Sequence, residues 1–306
     1  MKILDKPWRA KESDFSSPAW HAEPTVGYQL MFEFLRLSPS YEMARKEAAE
    51  GLSAEEKRVL PRDFKSVQRM YQRCGDVQRV LFREWWLERG LSLFGNPHRK
   101  PTVQPVGRLE QGQLEAATNI EQSLSQYLRG VREEEGLPES VLVAIPTTLR
   151  QSDIRAQVQA ILERVAKESR PKKVGPVLSL EGQRLRKSNL LKGLRLLWVR
   201  AARPNWEYWR LGTQVEYSKI YAAQLTVDAP RKAEKLGEAY DREMMTKIVS
   251  RALNKYEAIA ENAARGRFPS EDSVEKMVFD YPALAKRIRQ KNRWEEKRKV
   301  RYGEIG

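Results

Sequence analysis

The spacing of apolar residues predicts helices along most of the chain. From Val26 to Leu37 apolar side chains recur every three or four positions, which is the period of one helix face. Ser38-Pro39 ends this helix, and we expect Ser40 to cap the next one. Ser53 and Glu56 form a capping-box pattern, and stripes at 64–71 and 82–93 follow it. We therefore expect a compact N-terminal module of four or five short helices.

Further helices are predicted in the second half of the chain. Apolar stripes indicate helices at 114–135, 152–165, 181–202 and 241–265. The stripe at 181–202 is amphipathic, with leucines on one side and most of its cations on the other. A last helix, capped by Asp280, runs into a basic tail.

One segment has the pattern of a β-strand. Residues 141–145 form a short apolar run that is rich in β-branched side chains and ends at Pro146. A single strand has no partner, so we expect 175–180 and 213–220 to supply one or two more. The predicted fold is mainly α with a minor β-sheet of two or three short strands.

Prolines and glycines divide the chain into segments. Residues 1–24 contain three prolines without periodic apolar positions, which predicts an extended arm before the helical module at 25–94. The Pro- and Gly-rich stretch 95–113 predicts a linker. A larger helical domain that carries the minor sheet then occupies 114–280, and a basic helix or tail occupies 281–306.

Composition limits the class of protein. The chain has 306 residues and is 41% hydrophobic, which suffices for a core, and it has no apolar run of eighteen residues that could cross a membrane. The N-terminus lacks the pattern of a secretory signal, and one cysteine, Cys74, cannot form an internal disulfide. We expect a cytoplasmic protein that does not bind membranes, with Cys74 as a small core residue.

Positive charge is concentrated in two segments. Of the net charge of +15, residues 164–210 carry +10 and residues 281–306 carry +6, whereas the remaining residues are close to neutral. Segregated charge of one sign repels itself in the folded state, and an anionic partner is the commonest reason to tolerate it. Nucleic acid is the favoured partner, with DNA preferred, and a solvated surface that only increases solubility is the competing interpretation.

Basic residues of both segments, and two arginines beside Gly266, are the candidate phosphate contacts. The candidates are Lys192, Arg195, Arg200, Arg203, Arg210, Arg265, Arg267, Lys286, Arg287, Arg289, Lys291, Arg293, Lys297, Arg298 and Lys299. The interpretation requires that these side chains be exposed and not paired with carboxylates of the same chain. Trp206 and Trp209 lie among the arginines and could stack on bases, although we favour a core position for both.

The sequence contains little catalytic chemistry. The two histidines, His21 and His98, lie in loops, and no zinc spacing, phosphate loop or nucleophile elbow is present. Carboxylates cluster at 133–135 and 271–272, which leaves a metal-dependent nuclease as the least favoured alternative. We predict no catalytic residue, no metal site, no cofactor and no enzyme activity.

A short N-terminal motif resembles a known family. Phe32-Glu33-Phe34-Leu35-Arg36-Leu37-Ser38-Pro39-Ser40-Tyr41 is similar to the WEFLRRNPxY-type opening of a small helical family labelled transcriptional-regulator-like, which occurs in bacterial plasmids and integrative elements. The resemblance covers residues 27–94 at most. Phe32 replaces the Trp and Ser38 replaces the Asn of the family pattern.

This resemblance implies a role associated with mobile DNA and carries over no catalytic residue. Together with the charge distribution, it leads us to expect a non-enzymatic DNA-binding accessory or regulatory protein. The alternative from another class is an interaction scaffold whose basic faces dock an acidic protein partner.

Overall fold

Helices make up most of the structure. The computed structural model describes residues 20–95, 102–109, 116–135, 139–168, 177–181, 185–233 and 235–303. The α-helices, in chain order, are α1 (Val26–Leu37), α2 (Pro39–Glu50), α3 (Ala54–Arg58), α4 (Phe64–Cys74), α5 (Phe82–Trp85), α6 (Leu91–Phe94), α7 (Ala116–Arg129), α8 (Val131–Glu134), α9 (Gln151–Glu168), α10 (Lys187–Ala202), α11 (Tyr208–Gln214), α12 (Lys219–Ala222), α13 (Leu236–Ala263) and α14 (Tyr281–Gly303). A 3-10 turn at Trp20–Ala22 precedes α1, and a π-helical turn at Trp86–Gly90 follows α5. The mainly helical prediction is confirmed.

The predicted minor β-sheet is wrong for the described residues, none of which forms a strand. Residues 141–145 lie outside any regular element. The expected partner at 213–220 is instead the end of α11, a turn and the start of α12, because Glu216 adopts a positive φ of 49°. Of the other expected partner, 175–180, the first two positions lie outside the described residues and the others form no strand.

The chain forms two compact units whose boundaries differ from the predicted domains. One unit combines residues 1–90 with 178–306, and the other contains residues 91–177. The first unit therefore contains α1–α5 together with α10–α14, and the second contains α6–α9. The N-terminal helical module and the basic C-terminal helix, which we expected to be separate, are parts of one unit. Most of the predicted arm at 1–24 lies outside the described residues.

Helix α1 lies at the centre of the first unit. Every one of its apolar side chains except that of Tyr28 is buried, because α1 packs against α2, α10 and α13. Helices α10 and α13 approach closely at Gly193, where an added Cβ would lie 2.2 Å from the Tyr256 ring. Glycine at this position permits the contact, and the adjacent leucines of α10 fill the core around it.

The link between α1 and α2 differs in one detail from the prediction. Ser38, and not Ser40, is the N-cap of α2, and its hydroxyl oxygen accepts a hydrogen bond from the Tyr41 amide at 3.1 Å. The reason is Pro39, which has no N–H to lose at the first helical position and a backbone angle suited to it. Ser40 lies within the helix, and its hydroxyl donates to the buried Glu261 carboxylate.

Glu261 is the centre of a buried polar cluster. The Ser38 hydroxyl donates to Glu261 Oε1 at 2.6 Å, and Arg265 Nη1 lies 3.0 Å from Glu261 Oε2. Arg265 also forms a bidentate pair with Asp63, at 2.7 and 2.8 Å, and these hydrogen bonds lower the pKa of the Asp63 carboxyl. The cluster ties the end of α13 to the start of α2 and to the turn before α4.

A second buried cluster joins α1 to α14. Arg36 Nη1 lies 2.7 Å from Glu33 and 3.0 Å from Glu295, and Lys291 Nζ lies 3.4 Å from Glu295 and 3.8 Å from Glu33. All four side chains are almost fully buried. Arg36 also donates to the backbone carbonyls of Val77 and Val80. Two carboxylates thus balance two cations, and the four charges hold α14 against α1.

Removing one carboxylate from this four-charge cluster should destabilise the first unit strongly. Glu295→Ala leaves two buried cations with one carboxylate, and we expect a loss of about 3–5 kcal/mol in the free energy of unfolding. The double replacement Lys291→Met with Glu295→Leu removes one charge of each sign and should cost less. All eight tryptophans lie in the ranges of the first unit, so urea unfolding followed by tryptophan fluorescence reports on it. A loss below about 1 kcal/mol for Glu295→Ala would contradict the ion-pair geometry.

Cys74 is a core residue, as expected. Its side chain is fully buried at the end of α4, and burial raises the pKa of its thiol to about 12. Since only the thiolate reacts, the native protein at pH 8 should give no measurable reaction with a disulfide reagent such as DTNB. Full reaction should appear after unfolding in guanidinium. A stoichiometric reaction of the native protein within minutes would show that α4 opens readily.

Candidate nucleic-acid interface

Two of the candidate phosphate contacts are buried inside the first unit, where they form ion pairs. Arg265 belongs to the Glu261 cluster and its side chain is only 3% exposed. Lys291 belongs to the four-charge cluster, where burial lowers the pKa of its ammonium group although Glu33 and Glu295 oppose that shift. Neither side chain can reach a phosphate unless its cluster breaks. The structure therefore removes Arg265 and Lys291 from the predicted interface.

Three more candidates are largely occupied by groups of the same chain. Arg210 lies 3.3 Å from Glu207 and donates to the carbonyls of Val227 and Ala229. Arg298 lies 2.9 Å from Glu84. Arg267 donates to the Asn262 side chain and lies 4.0 Å from Asp272, although its side chain is 43% exposed. These arginines position loops and helices of the first unit, and we assign them no phosphate.

The arginines near the end of α10 lie against aromatic rings. The Arg200 guanidinium is 5.2 Å from the centre of the Tyr208 ring and 5.3 Å from that of Tyr281. Arg203 lies 5.5 Å from the centre of the Trp206 ring. All three distances are within cation–π range, and both arginine side chains are half-buried. Trp209 is buried, as its expected core position requires, whereas Trp206 is half-buried.

Four candidates form a row on the outer face of α14. Lys286, Arg289, Arg293 and Lys297 are all exposed and follow one another at helical intervals of three or four positions. The opposite face contains the buried Leu284, Ile288, Lys291 and Glu295. At 1.5 Å per residue the row extends over about 16 Å. We call these four residues the α14 row.

The remaining candidates contribute less to a surface. Arg195 is exposed on α10, and the Lys192 ammonium lies 3.5 Å from the carbonyl oxygens of Glu216 and Tyr217. Arg287 is largely enclosed between α14 and its neighbours, and burial lowers the pKa of its guanidinium. The side chain of Lys299 lies outside the described part of the structure.

The structure also shows a second basic row that the sequence analysis missed. Lys65, Arg69 and Arg73 are exposed at intervals of four positions along α4, which contains no acidic residue. The buried face of this helix holds Phe64, Val67, Met70 and Cys74. We call the three cations the α4 row. Their signal in the sequence is the absence of Asp and Glu from the helix, which is hidden when the charge of all residues outside 164–210 and 281–306 is averaged.

Most cations of the two rows have no carboxylate partner. Lys65, Arg73, Lys286, Arg293 and Lys297 make no ion pair with any described residue, and Arg69 donates only to the Ser66 hydroxyl, at 3.1 Å. At the end of α4, Arg89 Nη1 also donates to the Arg73 carbonyl at 3.1 Å. Each row therefore presents positive charge that the fold itself leaves largely unneutralised.

The described residues contain no group of three or more His, Cys, Asp or Glu side chains arranged to hold a metal ion. Among the helices that are described, none has the length and apolar character needed to cross a membrane. Of the carboxylates considered as a nuclease site, Glu271 pairs with Lys255, Asp272 lies beside Arg267, and Glu135 accepts a hydrogen bond from the Thr102 hydroxyl. The side chains of residues 133 and 134 lie outside the described part of the structure.

Comparison with known proteins adds no relative to these observations. The chain matches no family model, no curated protein and no solved structure. The resemblance at residues 32–41 therefore stays a prediction, and the two basic rows of the first unit are the structural features that bear on function.

Proposed function

We propose that the first unit binds nucleic acid, with DNA preferred, through the α14 row and the α4 row. The observation that supports this proposal is the exposure of two lines of cations, each on the face of a helix opposite its buried side. Arg195 and Lys192 of α10 are secondary contacts. We propose that the protein's role is that of a non-enzymatic accessory or regulatory protein. This part of the proposal rests on the resemblance at residues 32–41.

The arrangement of the rows favours a polyanion over a merely solubilising surface. Like charges four positions apart on a helix destabilise it by about 0.2–0.5 kcal/mol for each pair. A solubilising surface avoids this cost by mixing both signs, yet α4 carries three exposed cations and no carboxylate. Phosphates of a nucleic acid remove the repulsion, and the release of their counterions supplies the affinity.

Salt dependence measures how many phosphates the rows bind. With six or more phosphates bound, affinity for a labelled duplex should fall by roughly 10³-fold or more between 50 and 200 mM salt. Neutralising three of the four cations of the α14 row by Lys286→Gln, Arg293→Gln and Lys297→Gln should reduce the magnitude of the slope of log K against log salt by about 0.9 for each phosphate that the variant no longer binds. Lys65→Gln, Arg69→Gln and Arg73→Gln should act similarly on the α4 row. Fluorescence anisotropy with duplex DNA, single-stranded DNA and RNA measures each slope.

A matched control removes the same charge from scattered positions. Lys219→Gln, Lys232→Gln and Arg251→Gln lie at exposed sites on three different segments of the first unit. If this variant loses as much affinity as the row variants, net charge and not the rows determines binding. If the unmodified protein binds no nucleic acid at 50 mM salt but binds an acidic polypeptide, the scaffold function replaces this proposal.

A further inference from the structure

The apolar segment 141–145 of the second unit is exposed to solvent. Val141 is 42% exposed, Leu142 59%, Val143 39% and Ile145 49%. No backbone N–H or C=O of these five residues forms a hydrogen bond with any residue that the structure describes. A run of apolar, largely β-branched side chains with unpaired backbone groups has the properties of an edge strand that lacks its neighbour.

Helix α9, which follows this segment, has an apolar stripe that is only partly covered. Ile154, Val158, Ile161 and Val165 lie on one side of α9, and none of them is buried. Leu162 beside them is 49% exposed. Between 116 and 168, Glu135 is the single buried residue of those described. The segment 141–145 and α9 therefore have little core of their own. Burying their apolar side chains against another chain would stabilise them.

We propose that the partner is a second copy of this chain. The two 141–145 segments pair in antiparallel orientation about a two-fold axis at Val143, and the apolar stripes of both α9 helices cover the resulting ribbon. A two-stranded ribbon alone is marginal in water, so the helices are needed to complete the interface. The proposal is independent of nucleic-acid binding, since neither basic row includes a residue of the second unit.

The sequence of the segment is complementary to itself in this register. Leu142 of one copy lies opposite Ala144 of the other, so a large side chain meets a small one on that face. On the other face Val141 lies opposite Ile145 and Val143 lies opposite Val143, which are β-branched pairs suited to a sheet. A closed two-fold interface requires such self-complementarity, because each copy contributes the same patch.

The charges that flank the segment agree with antiparallel pairing of two copies. No charged residue occurs between Glu139 and Arg150, so the segment itself offers nothing that would select a partner by charge. Antiparallel pairing about Val143 places Glu139 opposite Thr147 of the partner, at the end of the ribbon that also carries the partner's Arg150 three positions further along. Parallel pairing would instead place equal charges side by side at both ends, which is unfavourable.

Sedimentation analysis of the full chain tests the association. We expect a dimer whose dissociation constant rises by at least about tenfold in Val143→Lys, because two ammonium groups would then face each other across the axis. Val278→Lys is the control, since Val278 is an exposed valine of the first unit. Circular dichroism checks that both variants keep their helix content. A monomeric unmodified protein, or a dimer that Val143→Lys leaves intact, would overturn the proposal.

Cysteine cross-linking tests the register in the same full-length protein. Val143→Cys should form a disulfide-linked dimer under mild oxidation, because directly opposite residues of paired strands have Cα separations that a disulfide spans. Val141→Cys should not cross-link with itself but should do so when mixed with Ile145→Cys. The unmodified protein should stay uncross-linked, since Cys74 is buried. If Val141→Cys cross-linked with itself and not with Ile145→Cys, the strands would pair in a different register, and this interface would be refuted.

Discussion

The four-charge cluster of Glu33, Arg36, Lys291 and Glu295 is the interaction on which the first unit depends. Removing charges from water is costly, and their mutual attraction offsets that cost only when the partners are all in place. The cluster therefore fixes the position in which α14 packs against α1. Because Lys291 and Glu295 point inward, helical geometry turns Lys286 and Arg293 outward. The buried cations of α14 thus determine which of its other cations face solvent.

The segment that resembles the transcriptional-regulator-like family has a structural role in this chain. Glu33 and Arg36 form half of the four-charge cluster, while Ser38 and Ser40 bind Glu261. Tyr41 donates to the Gly75 carbonyl at 2.8 Å. The polar residues of the motif thus satisfy buried groups at the centre of the first unit, and their contribution to the proposed binding is to hold α4 and α14 in place.

Local sequence patterns predicted the helices more accurately than they predicted which basic residues are exposed on the surface. Apolar periodicity and caps such as Ser53 depend on neighbouring residues, so they are visible in the sequence. The burial of Lys291 is not, because its partner Glu33 is brought near by tertiary packing. Averaging charge over long segments also hid the α4 row. The apolar pattern at 141–145 indicated a strand, but pairing needs a second segment, and no other described part of the chain supplies one.

Contact between the two ends of the first unit has a consequence for biosynthesis. Arg36 and Glu295 are 259 positions apart, and the whole second unit is translated between them. While the ribosome elongates the chain, α1 carries charges whose counterparts have not yet been made. The first unit therefore completes its core only after α14 emerges, so its nascent form exposes apolar helix faces while the second unit is being translated, and chaperones can bind these faces during that interval.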